Sequence, residues 1–224
     1  QLGETASRFA AAGDVTLTVS DNAVGGVVSG ASRAGNFALT VAGALRVGDI
    51  QAAASTANNG NLTLVAGGAI TQAAPDATID LLAGGTLSLT AAGAVGGLGR
   101  YDAALDIRAS ALALSAQGDV ALVALGDLSV NSFATQASAG QALPGVSLQT
   151  LMDVASSEAG DLSLNQGLSV GDGARVYLGA EGRFSLAANQ SVDSGGQALS
   201  LRVEGVALAA GSSLLSQGGS VVIE

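Results

Sequence analysis

Along most of the chain, apolar and polar residues alternate in short runs that are broken by glycine. The clearest phrase is glycine, a small polar residue, then apolar–x–apolar. It occurs as Gly13-Asp14-Val15-Thr16-Leu17, Gly35-Asn36-Phe37-Ala38-Leu39, Gly60-Asn61-Leu62-Thr63-Leu64 and Gly85-Thr86-Leu87-Ser88-Leu89. It returns at Gly118-Asp119-Val120-Ala121-Leu122, Gly160-Asp161-Leu162-Ser163-Leu164 and Gly182-Arg183-Phe184-Ser185-Leu186. Period-two alternation predicts strands with apolar side chains on one face and Thr, Ser, Asp or Arg on the other. The shorter spacings between phrases, 22 or 25 residues, are those of a supersecondary unit stacked on copies of itself.

A second phrase follows the first at a nearly constant step of eight residues, as in Gly43-Ala44-Leu45, Gly68-Ala69-Ile70, Gly93-Ala94-Val95 and Gly126-Asp127-Leu128. Gly167-Leu168 follows after seven. A third apolar segment completes several units: Thr78–Leu81, Leu105–Ile107, Arg175–Leu178 and Leu214-Leu215. Three short strands per coil predict an all-β fold, a right-handed parallel β-helix of about nine coils. At a strand spacing of about 4.8 Å the rod would be on the order of 45 Å long. Glycine suits its corners, where Asp or Asn can hydrogen-bond the turn backbone.

The repeat breaks at 131–159, inside the long gap from Gly118 to Gly160. The chain reads as one β-helical domain over 1–224, with 131–159 as an excursion from a corner. Leu148, Leu151, Met152 and Ala155 fall at helical spacing, which predicts a short amphipathic helix there. Phe133, Gln136, Gln141, Leu148, Leu151 and Met152 are the residues this interruption offers for contact with a partner. Gly96–Tyr101 marks a smaller loop.

Composition narrows the options. The 33 glycines and the 48% hydrophobic content with only 3% aromatics call for a core of small and branched aliphatics. The chain has no Cys and no His, which removes disulfides, thiol chemistry and the usual zinc ligands. A formal charge of −10 opposes nucleic-acid binding, which needs a basic surface. Mean hydropathy is positive, yet no apolar run reaches the roughly 18 residues of a membrane-crossing helix. Four Phe and two Tyr cannot build the aromatic girdles of a membrane barrel. The chain is therefore expected not to span a membrane.

No cofactor is expected, calcium being the one candidate. Asp14, Asp119 and Asp161 stand at corners and Asp172 lies between Gly171 and Gly173, but the Gly-Gly-x-Gly-x-Asp repeat of calcium-binding β-rolls is absent. Without His, Cys or Lys, catalysis would fall to carboxylates. Asp102 and Asp106, with Arg100, Tyr101 and Arg108, form the densest group, and the structural alternative is a charged loop with local ion pairing. The mixed Thr/Ser/Ala outer positions, from Thr16 to Ala121 and Val123, lack the regular threonine ranks of an ice-binding face.

The phrases Gly-Asn-Leu-Thr-Leu-Val-Ala-Gly-Gly-Ala-Ile (60–70), Gly-Thr-Leu-Ser-Leu-Thr-Ala-Ala-Gly-Ala-Val (85–95) and Gly-Asp-Val-Ala-Leu-Val-Ala-Leu-Gly-Asp-Leu (118–128) resemble the shaft repeats of filamentous-haemagglutinin-type exoproteins. That resemblance covers nearly all of the chain outside 131–159. It implies a non-enzymatic segment of a secreted bacterial surface adhesin, exported through an outer-membrane pore by two-partner secretion. Its partners would be a host receptor or an extracellular polysaccharide; the alternatives are a polysaccharide-active β-helix using Asp102 and Asp106, or a passive structural spacer. The family's secretion domain, with its Asn-Pro motifs, has no counterpart here, so no binding residue is carried over. Strand-like residues persist to Val221-Val222-Ile223-Glu224, which predicts a chain that continues beyond this segment.

Overall fold

Branched aliphatics at every second position produce strands whose buried and exposed residues alternate. Phe37–Val41 and Leu62–Ala66 both run buried, half-buried, buried, half-buried, buried. A computed structural model describes residues 6–55, 58–73, 79–98, 103–136, 145–153, 157–170 and 174–224. It shows a right-handed parallel β-helix. Nearly every strand pairs in parallel with the equivalent strand one coil away; Ala54–Ser55 and Asn58–Asn59 form an antiparallel pair.

Three ranks of inward residues define the coil. In the first, Phe37, Leu62, Leu87 and Leu112 lie in register. In the second, Leu45, Ile70, Val95, Val120, Val146, Val176, Leu199 and Val221 follow one another. The third runs Ile50, Leu81, Ile107, Ala124, Thr150, Ala180, Val203. Apart from the polar Thr150 and the exposed Val221, they join one apolar cluster that reaches from Val15 to Leu201, each fully buried Leu, Ile or Phe contributing about 1.5–3 kcal/mol. Among the described residues the first rank holds nine strands, from Val15–Leu17 to the end of Leu199–Leu208, which bound eight complete turns. The repeat spacing predicts about nine coils, so the rod is slightly shorter than expected, roughly 40 Å at the usual strand spacing.

Two expectations are corrected. No α-helix occurs among the described residues, and Val146–Leu151, expected as part of an amphipathic helix, is a strand. It pairs with Val120–Leu125 on one side and with Val176–Leu186 on the other. Val146, Leu148 and Thr150 point inward at period two, and burial on both sides outweighs the helical spacing of Leu148, Leu151 and Met152. Val146–Leu151, inside the 131–159 interval, is thus a rung of the coil.

The third-strand assignment also changes towards the C-terminal end. Val176 belongs to the second rank, and Leu214-Leu215 joins a separate ladder of Leu168–Ser169, Ser191–Asp193 and Ser213–Leu215. The irregularity begins at Asn131. Leu112 pairs with Val130 and Ala113 with Ser132, leaving Asn131 as a bulge residue.

Candidate functional site

The corners before the first rank carry a regular polar device. Asp14 Oδ1 accepts a hydrogen bond from the Asn36 N–H at 2.7 Å. Asn36 Oδ1 accepts from the Asn61 N–H at 2.9 Å, and Asn61 Oδ1 from the Thr86 N–H at 2.9 Å. The series resumes where Asp127 Oδ1 accepts from the Asp161 N–H at 2.8 Å and Asp161 Oδ1 from the Arg183 N–H at 2.6 Å. At a second corner Asp119 Oδ1 accepts from the Gly145 N–H at 2.9 Å. Each side chain therefore caps the equivalent backbone position of the next coil, satisfying a donor that the turn leaves free.

This arrangement assigns the corner carboxylates to structure. Among the described residues no group of three or more Asp or Glu side chains is placed to hold a metal ion; Gly171, Asp172 and Gly173 lie outside those residues. Asn36→Ala should lower stability by about 0.5–1.5 kcal/mol. Asn36→Asp, which keeps the acceptor, should stay close to the parent. Urea midpoints of the two variants check this, and equal losses would argue against an acceptor role.

The residues expected to meet a partner separate. Leu148 is fully buried between Leu122 and Leu178, so it is a core residue. Phe133 packs partly buried against the main core. Gln136 is exposed, and its N–H donates to the Ala116 carbonyl. Gln141 lies outside the described residues. Leu151 and Met152 both reach the outer surface, where they line a cleft of about 500 Å³. Leu151 also packs on a small outer cluster of Ala104, Ala121 and Val123. Those two Val120–Leu125 residues, expected to be outward and open, are covered.

Residues of four successive coils build the cleft, the last contributing Glu224. Ser147, Tyr177 and Ser200 are in register, as are Gln149, Gly179 and Arg202. Glu181 and Glu204 lie beyond them, where Glu181 and Gly182 interrupt the register between Ala180 and Arg183. Glu181 Oε2 accepts from the Met152 N–H at 2.6 Å, fixing one wall. Gly179 points outward yet is buried. A Cβ there would meet Tyr177 Cε1 at 3.2 Å and Oη at 3.3 Å, with Gln149 Cγ at 3.3 Å. The half-buried Tyr177 side chain thus lies across a position without a side chain of its own.

Sequence reading missed Gln149, Tyr177, Arg202 and Glu204. Their outward phase was readable from alternation once Val146–Leu151 was known to be a strand. Of the carboxylate group considered for catalysis, Arg100, Tyr101 and Asp102 lie outside the described residues. The Asp106 N–H donates to Asp80 Oδ2 at 3.0 Å, and Arg108 is ion-paired with Asp153. The Asp106 backbone and the Arg108 side chain thus each bridge to another coil.

No helix among the described residues is long and apolar enough to cross a membrane. No protein-family model, no curated protein and no solved structure matches this chain.

Proposed function

We propose that this chain is a non-enzymatic shaft segment of a large bacterial surface adhesin, exported through an outer-membrane pore. On this reading it projects a binding face towards a host receptor or an extracellular polysaccharide. The supporting observation is the continuous parallel stack, with one core from Val15 to Leu201 and corners capped from coil to coil. Such a solenoid depends only on neighbouring coils, so it can fold progressively as it emerges from a pore. It contains no cysteine whose oxidation in the periplasm could trap a partly exported chain.

The shaft repeats resemble those of filamentous-haemagglutinin-type exoproteins, and the acidic surface suits an extended rod that resists self-association. Antibodies raised against residues 6–55 should label intact cells of the source bacterium, and external protease should remove the signal. Recovery of the protein only from the cytosolic fraction, shielded from protease until lysis, would sink this reading.

A further inference from the structure

The outer cleft holds Tyr177, the one tyrosine among the described residues. On the first rank the outward positions from Thr16 to Ala113 are small: Thr16, Ala38, Thr63, Ser88 and Ala113 follow one another. Across Val146–Leu151, Val176–Leu186 and Leu199–Leu208 the outward residues include Gln149, Tyr177, Arg202 and Glu204 instead. The absence of a side chain at Gly179 leaves a depression between Gln149 and Arg202, and Tyr177 lies across it. A planar aromatic surface is thereby set among groups that donate and accept hydrogen bonds in fixed directions.

These features match a ligand with a flat, weakly polar C–H face and hydroxyls around its rim. A pyranose ring has that form. The volume of about 500 Å³ falls in the range of roughly 300–1,000 Å³ typical of small-ligand sites. Charge narrows the class further. Glu181, Glu204 and Glu224 line the cleft with Arg202 as its cation, and the whole chain carries −10. A uronate-rich or sulfated polymer would meet repulsion on approach. A neutral sugar would not, and carboxylate, carboxamide and guanidinium groups can all pair with hydroxyls.

We propose that this cleft binds a neutral hexose oligosaccharide as part of an extracellular polysaccharide, one sugar face resting on Tyr177 and its hydroxyls paired by Gln149, Arg202 and Glu204. The site lies on the shaft itself, beside the irregular coil. This deepens the adhesin reading by naming the partner class, and purified protein tests it wherever the protein resides.

Calorimetric titration of the 224-residue chain with hexasaccharides of glucose, mannose and galactose, beside hexagalacturonate and the chitosan hexamer, tests the inference. Saturable binding of at least one neutral hexasaccharide, with no binding of hexagalacturonate, is expected. Tyr177→Ala and Arg202→Ala should each weaken it at least about tenfold. Both alter outward side chains, so their urea midpoints should stay near the parent. Gly179→Gln, which would push a side chain into the depression, should block binding as well. Binding of none of the neutral sugars would overturn the proposal. So would preference for either charged oligomer, or neutral-sugar binding that persists unchanged in the Tyr177 and Arg202 variants.

Discussion

Leu148→Ala is expected to destabilise the protein by about 2–5 kcal/mol, the range for truncating a fully buried leucine that leaves a cavity. Leu148 sits in the core between Leu122 and Leu178, with no exposure to solvent. Its neighbours above and below are rungs of the same solenoid, so the cavity cannot close without shifting a whole coil. Urea unfolding measures the loss, and amide exchange locates it, because repeat arrays can depart from all-or-none unfolding. A loss below about 1 kcal/mol would mean that this strand does not bear on the core. Met152→Ala, at an exposed position, should by contrast change stability by less than about 0.5 kcal/mol.

Gly60→Ala should cost about 3 kcal/mol, the upper part of the usual range for overpacking. A Cβ at this corner would stand 2.1 Å from the Gly35 carbonyl oxygen and 2.7 Å from the Ala53 nitrogen. Both obstacles are backbone atoms held by hydrogen bonds. The Ala53 N–H donates to the Gly35 carbonyl at 3.1 Å, and the Gly60 N–H donates to the Ala53 carbonyl at 2.7 Å. Relief therefore requires adjacent coils to separate locally. At Gly43 a Cβ would meet nothing within 4 Å, and Gly43→Ala should raise stability by about 0.4–1 kcal/mol by restricting the unfolded chain. Thermal or urea midpoints of the pair check the contrast; similar losses in both would show that generic glycine replacement, not coil approach, sets the cost.

The regular part of this architecture was legible because two periods coincide. Leu62, Leu64, Leu87 and Leu89 alternate within strands, and they recur after one coil, so phase and register came from the same residues. The irregular coil lacked that redundancy. Leu148, Leu151 and Met152 satisfy a helical spacing while Val146, Leu148 and Thr150 satisfy an extended one, and a segment this short cannot distinguish them alone. The neighbours at Leu122 and Leu178 decide the matter.

The corner residues show a different limit. Asp14, Asn36 and Asn61 were readable as turn formers, but the N–H each one caps lies in the next coil. The outer cleft is harder still. Gln149, Tyr177 and Arg202 are distant in sequence, and only the inter-coil register makes them neighbours. Ala121 and Val123 are covered on their outer side by a cluster that includes Ala104, a contact that alternation along one strand cannot announce.

Coil-to-coil hydrogen bonding also gives the rod a mechanical character. In every rank the backbone bonds run along the stacking axis, from Phe37 to Leu62 to Leu87 and onwards. Tension spread evenly over a coil's cross-section loads all of its bonds at once and meets high resistance. Tension applied through the chain itself concentrates on the outermost coil, whose bonds part a few at a time. Each coil that peels away releases between 18 residues (Leu112 to Val130) and 34 (Leu128 to Leu162), roughly 60–120 Å of extended chain, while the remaining coils stay wound. A rod built this way can lengthen stepwise under load and dissipate work at each step.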